Sequence, residues 1–141
     1  MSVPTTVSTA HIRVRYPETD RMGVAHHTHF FVWFEVGRTE YMRDRGCPYS
    51  ELEKQGLFFP VVEAGARYHR PVRYDEELRV ETSLEEVTAA RVHFAYRLVR
   101  PPAGELLASG FTVHAAVDAS GSPRRIPPEV RHRLLACEAS E

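Results

Sequence analysis

The chain has no asparagine, one glutamine (Gln55), one lysine (Lys54) and one tryptophan (Trp33) among its 141 residues. Its two cysteines, Cys47 and Cys137, form no metal-type spacing, which argues against a zinc module or a disulfide-stapled scaffold. Two reduced thiols in a cytoplasmic protein are the simplest reading. No apolar run approaches the ~18 residues of a membrane span, so no membrane insertion is expected. The first ten residues have neither the basic start nor the apolar centre of a secretory signal. A net charge of −1 gives no bulk attraction to nucleic acid or to an anionic membrane. No P-loop, dinucleotide-binding glycine motif or zinc-protease motif occurs. The scarcity of amide side chains suits a heat-adapted protein, but the bias toward arginine over lysine also follows from genome composition. Neither bears on function.

What is present describes an ordinary globular domain, with 43% apolar and 26% charged residues. This length buries a core without staples. One domain is expected over residues 11–141, after a flexible N-terminus at 1–10.

Residues 11–16 alternate, with Ile12, Val14 and Tyr16 on one side and Arg13 and Arg15 on the other, so a half-buried strand is predicted. From 28 to 45 the period changes. Phe30, Phe34, Gly37 and Tyr41 recur at intervals of four, three and four, the stripe of an amphipathic helix. Thr28 is the expected N-cap. Gly37 in that stripe costs about 1 kcal/mol relative to alanine, and close packing on a sheet would compensate. Gly46 ends the helix, and a shorter one follows Pro48 up to Gly56.

The remainder is mainly extended. A long strand is predicted over 57–72 and another over 105–117, with a short C-terminal helix from Pro127 to near Ala136. Leu78, Val80, Thr82 and Leu84 alternate with polar residues, as do Val92, Phe94, Tyr96 and Leu98. Short connections make the last three strands an antiparallel meander. A single apolar helix and a sheet must cover each other. Phe58, Phe59, Phe94, Tyr96 and Phe111 are expected in the core.

Chemistry is suggested where Asp20, Gly23 and His27 lead into the long helix. Backbone N–H groups at a helix start are unpaired and carry partial positive charge. A carboxylate beside them suits reaction at a polarised carbonyl. Read by itself, Asp20 equally fits a turn or cap residue, and Glu18 is expected in solvent. His26, His27 and His29 have no familiar metal-ligand spacing. Cys47 lacks a neighbouring base and is no nucleophile.

Two motifs carry a resemblance. The first is Arg15-Tyr-Pro-Glu-Thr-Asp20-Arg-Met-Gly23-Val-Ala-His-His27, leading into Phe30-Phe-Val-Trp-Phe34-Glu35-Val-Gly-Arg38-Thr-Glu40. The second is Tyr68-His-Arg-Pro71-Val-Arg-Tyr-Asp75-Glu-Glu-Leu78. Together, over roughly 11–135, the chain resembles the hot-dog fold acyl-CoA thioesterases of the 4-hydroxybenzoyl-CoA thioesterase-like branch. The resemblance implies an α+β hot-dog fold, an antiparallel five-stranded sheet wrapped around one long central helix. It implies hydrolysis of an acyl-CoA thioester, with Asp20 as base or nucleophile and the His27 backbone N–H polarising the carbonyl. Gly23 would permit the tight turn between them, and Val24 and His26 would line the substrate site. No metal or redox cofactor is implied, coenzyme A being part of the substrate. A homodimer or homotetramer with active sites between subunits is expected, and an exposed edge strand would independently favour association. Many relatives carry Asn or Ser where His29 stands and Tyr where His26 stands, so the acyl pocket is expected to differ.

Other charged residues have less specific readings. Glu35 and Arg38 are three apart on the helix and can pair. Other hot-dog enzymes place a catalytic carboxylate on this helix, which makes Glu35 the reserve candidate. Glu63 is read at the pocket rim or in a subunit contact. Arg67, Arg70 and Arg73 suit the phosphates of coenzyme A, or else form surface ion pairs with Asp75, Glu76 and Glu77. A non-catalytic acyl-CoA or acyl-carrier-protein binder on the same fold is the alternative function. A dehydratase or hydratase is weaker, because its Asp–His arrangement on the central helix is not found.

Overall fold

A computed structural model describes residues 7–135. The order is β1 (Val7–Arg13), α1 (Thr28–Asp44), α2 (Tyr49–Lys54), β2 (Val61–Tyr68), β3 (Glu77–Val87), β4 (Arg91–Arg100), β5 (Glu105–Ala115) and α3 (Pro128–Leu134). The five strands form one antiparallel sheet in the order β1-β3-β4-β5-β2. The meander β3-β4-β5 is its centre, and β1 and β2 are its edges. This is the hot-dog architecture, one long helix packed on one antiparallel sheet.

Its core is the interface between α1 and the inner sheet face. α1 buries Phe30, Trp33, Phe34, Tyr41 and Met42. The strands answer with Leu78, Val80 and Leu84 of β3 and Val92, Phe94, Tyr96 and Leu98 of β4. Phe34 stacks on Tyr96 with ring centroids 4.7 Å apart, and Tyr41 meets Phe94 edge-on at 5.5 Å. Each such side chain contributes about 1.5–3 kcal/mol on burial.

Gly37 sets how close the two layers come. A Cβ there would lie 2.4 Å from Thr82 Oγ1 and 2.7 Å from Val80 Cγ1. The helix rests its backbone on β3, which is the compensation that the glycine required.

Several boundaries differ from the sequence reading. The first strand begins at Val7, paired from Val7↔Ser83 to Arg13↔Glu77, so residues 7–10 are not a flexible tail; 1–6 lie outside the described residues. Ser8 and Ala10 are buried but small, and pairing with β3, not apolarity, extends the strand. Tyr16 leaves the strand for a 3-10 turn and stands exposed against Tyr74. The helix N-cap is His27, at φ −60° and ψ −26°, and Thr28 is already helical. The long strand predicted over 57–72 narrows to β2, with Phe58 making only an isolated bridge to Val117. The last strand stops at Ala115. Phe94 and Tyr96 are core, but Phe58, Phe59 and Phe111 are only half-buried. The expected helix end near Ala136 and Cys137 lie outside the described residues.

Gly37→Ala is expected to destabilise the fold by about 1–2 kcal/mol, because overpacking exceeds the gain in helix propensity. A lower urea midpoint at unchanged slope checks this.

Candidate active site

The segment before α1 folds back on itself. Thr19 and Ala25 form an antiparallel bridge. Glu18 O accepts the His26 N–H at 2.9 Å, and Asp20 N–H donates to Val24 O at 2.8 Å. Gly23 turns the tip at φ +74° with open space around its Cα, so backbone conformation selects glycine here. The loop is then tied to the chain before β3. Ala25 N–H donates to Val72 O at 2.7 Å, and Tyr74 N–H to Gly23 O at 3.0 Å.

Asp20 is exposed at this tip. Its Oδ1 accepts the N–H groups of Met22 at 2.8 Å and Val24 at 3.2 Å. Its Oδ2 has no partner among the described residues. One oxygen fixes the carboxylate and the other is available.

Two residues earlier, Glu18 does the opposite. It was expected in solvent, but it is 3% exposed. Oε1 accepts the Arg15 N–H at 2.7 Å and Oε2 accepts Trp33 Nε1–H at 3.0 Å. Burial alone would raise its pKa. The Arg15 N–H, the Trp33 indole and the Arg15 guanidinium outweigh burial and hold it below the ordinary carboxylate value. Glu18 therefore clamps the Asp20 loop to α1. The one signal for it in sequence was the lone tryptophan on an apolar helix, whose N–H needs an acceptor when buried.

At the helix start, the His27 N–H has no acceptor among the described residues. Thr28 N–H donates to His26 Nδ1 at 3.3 Å, and Thr28 Oγ1 lies 2.8 Å from the same nitrogen. His26 thus occupies the neighbouring donor and leaves His27 open. Tyr68 of β2 roofs the site, with its hydroxyl donating to His27 O at 3.4 Å and its ring edge-on to Phe30 at 4.9 Å. The sequence reading gave Tyr68 no role.

The other nominated residues divide. Gly23, Val24 and His26 are in this loop. Glu35 lies eight residues along α1 from His27, about 12 Å at 1.5 Å per residue, and its Oε1 contacts Arg38 Nη2 at 3.4 Å. Glu63 faces away from α1, in a cavity of about 530 Å³ with Glu85, Glu86, Arg91 and His93. Arg67 is on that same outer face beside Ser109 and Phe111. Arg70 pairs with Glu105 at 3.1 Å. Arg73 bridges to Val24 through its backbone, and its guanidinium forms no salt bridge among the described residues. No group of three or more His, Cys, Asp or Glu residues converges on a metal-sized point among the described residues.

Beneath α1 runs a buried polar chain. Arg38 Nη1 donates to Tyr96 Oη at 3.3 Å. Tyr96 Oη lies 2.5 Å from Thr112 Oγ1, which lies 2.8 Å from His114 Nε2. His114 Nδ1 is 3.0 Å from Phe59 O. A carbonyl only accepts, so Nδ1 carries the proton and Nε2 accepts from Thr112. Thr112 then accepts from Tyr96, and every donor points the same way. Burial, then the Arg38 charge, push the His114 pKa down to about 4.

The fold and the loop–helix site together define a class, the hot-dog thioesterases. The family description that matches, over residues 14–134, is the thioesterase-like superfamily, and this chain belongs to it. YneP of Bacillus subtilis is 40% identical over 112 residues, 79% of this chain and 80% of its own. The acyl-CoA thioesterase YbgC of Haemophilus influenzae is 36% identical over 123 residues, 85% of this chain and 88% of its own. The structure of a DHNA-CoA thioesterase from Staphylococcus aureus matches at 31% identity and a TM-score of 0.85, covering 91% and 88% of the two chains.

Two predictions follow from this geometry. Glu18→Gln keeps the shape but removes the charge-assisted hydrogen bonds, so a loss of about 1.5–3 kcal/mol is expected, read as a lower urea midpoint. His114 has a folded pKa of about 4 against 6.5 unfolded. The unfolded chain therefore binds the extra proton first, and the His114 contribution to stability is lost as pH falls from 6.5 to 4. His114→Gln is expected to flatten that part of the stability profile.

Proposed function

We propose that this protein hydrolyses an acyl-CoA thioester to a free carboxylic acid and coenzyme A. The observation that supports this reading most is the pairing of a fixed, exposed Asp20 with the unoccupied His27 N–H at the start of α1. Attack on a thioester carbonyl puts negative charge on its oxygen, and a preorganised N–H at a positive helix end stabilises that charge. Asp20 Oδ2 then acts in one of two ways. As nucleophile it bonds to the acyl carbon, the C–S bond breaks, coenzyme A leaves as thiolate, and water hydrolyses the resulting anhydride. As base it takes a proton from the attacking water, and the tetrahedral intermediate expels the same thiolate. No metal or redox step is needed for either route.

The assembly proposed is a homodimer or homotetramer with active sites between subunits, in the cytoplasm. β2 supports this. It is an edge strand with Val61 and Val62 about half exposed, and α1 leaves Val32 and Val36 exposed.

Thiol release from short, long and aromatic acyl-CoAs is the test. Asp20→Asn is expected to lower turnover by roughly 10²–10⁴-fold while the fold persists. Unchanged turnover would remove Asp20 from the mechanism. Binding without thiol release from any acyl-CoA would favour a non-catalytic binder. Label found in Asp20 after a single turnover in ¹⁸O-water establishes the nucleophilic route, since only an anhydride opened at the Asp20 carbonyl puts solvent oxygen there.

A further inference from the structure

His27, Phe31, Glu35 and Arg38 recur at intervals of four, four and three, and so follow one side of α1. Opposite them runs β2, with Tyr68 over His27. Between Phe31, Val32, Glu35 and Arg38 of α1 and Val61 and Ala64 of β2 lies a cavity of about 310 Å³. A second, of about 470 Å³, continues past Arg38 and Glu35 to Tyr49, Phe58 and Phe59. The groove starts at Phe31, about one helical turn beyond His27, with apolar walls, and meets a charged pair further along.

That pair is chemically unusual. Arg38 is 7% exposed. Three of its five N–H groups are engaged, Nε with Tyr49 Oη at 2.9 Å, Nη1 with Tyr96 Oη at 3.3 Å and Nη2 with Glu35 at 3.4 Å. The only carboxylate on this buried cation among the described residues is long in contact and itself largely in solvent. Arg38 presents donors only and Glu35 acceptors only, side by side on the groove wall. A methyl end offers a hydrogen bond to neither, and a carboxylate end would face Glu35. A hydroxyl satisfies both, accepting from Arg38 and donating to Glu35.

We propose that this groove selects acyl chains that carry a hydroxyl near their far end, an inference that rests on the thioesterase reading. Arg38 is eleven residues beyond His27, about 16 Å along the helix. An extended chain advances about 1.25 Å per carbon from its bond length and tetrahedral angles. The Arg38 side chain leans back toward the helix N-terminus, which shortens the span to an acyl group of roughly ten carbons.

The experiment compares 10-hydroxydecanoyl-CoA with decanoyl-CoA. In the wild type the hydroxylated substrate is expected to have a kcat/KM about tenfold or more higher, since a site that hydrogen-bonds a hydroxyl rejects the analogue without it. In Arg38→Met and Glu35→Ala the ratio is expected to fall toward one, with KM carrying the change. Glu35 is exposed, so its variant remains informative where Arg38→Met fails to fold. A ratio near one in the wild type overturns the inference. So does an equal loss on both substrates in the variants, which marks the pair as structural or as a subunit contact. Calorimetric binding of both compounds to Asp20→Asn tests the same preference without turnover. A preference in binding with no hydrolysis by the wild type would keep the groove assignment and overturn the thioesterase reading.

Discussion

The rest of the structure depends on the closeness of α1 to the sheet. At Gly37 the helix backbone sits where any side chain would collide with Thr82 and Val80. That contact lets Phe34 lie flat on Tyr96 and carries Arg38, the next residue, into the interior. The same seating leaves Thr82 Oγ1 buried without a partner, a cost that the layer tolerates because the aromatic burial around it is larger. The helix start is thereby held at a fixed height above the sheet, where β2 can lay Tyr68 across it. A backbone N–H has no side-chain freedom with which to correct a misplaced helix, so the packing at Gly37 and the placing of the His27 N–H are one constraint seen from two ends.

Glu18 and Asp20 show how environment divides labour between identical chemistries. Both are carboxylates on the same loop. Glu18 accepts hydrogen bonds through both oxygens, is buried, and becomes a clamp between the loop and Trp33. Asp20 spends one oxygen on the turn and leaves the other at the surface. A reactive carboxylate on a loop needs something else to hold that loop still. Here the holding carboxylate reaches down to the helix, and Asp20, two residues on, stands at the surface.

Burial explains which parts were legible in the sequence. The α1 stripe and the alternation at 78–84 and 92–98 were readable because one face of each element is packed, and packing imposes a period. The same reading placed Asp20, Gly23 and His27 in one loop and helix start, and Gly37 against a sheet. The start of β1 was hidden because Ser8 and Ala10 are buried by pairing rather than by apolarity. Glu18 and Tyr68 were hidden because their partners, Trp33 and His27, stand fifteen and forty-one residues away, and the fold alone joins them. The facing of Glu63 and Arg67 was not legible for the same reason, since facing along an edge strand depends on register with β5.

The polar chain under α1 gives the groove its fixed end. Had His114 been free to take a second proton, Nε2 would have become a donor, and Thr112 and Tyr96 would have had to reverse. Its depressed pKa keeps that nitrogen an acceptor near neutrality. The order Arg38 to Tyr96 to Thr112 to His114 to Phe59 O is therefore locked from its carbonyl end. With Tyr96 and Tyr49 both committed as acceptors from Arg38, the guanidinium cannot rotate to seek another partner without breaking two bonds. Its remaining donors are aimed by the fold and not by the ligand, the kind of preorganisation that lets a single distal group on a substrate be recognised through hydrogen bonds rather than through length alone.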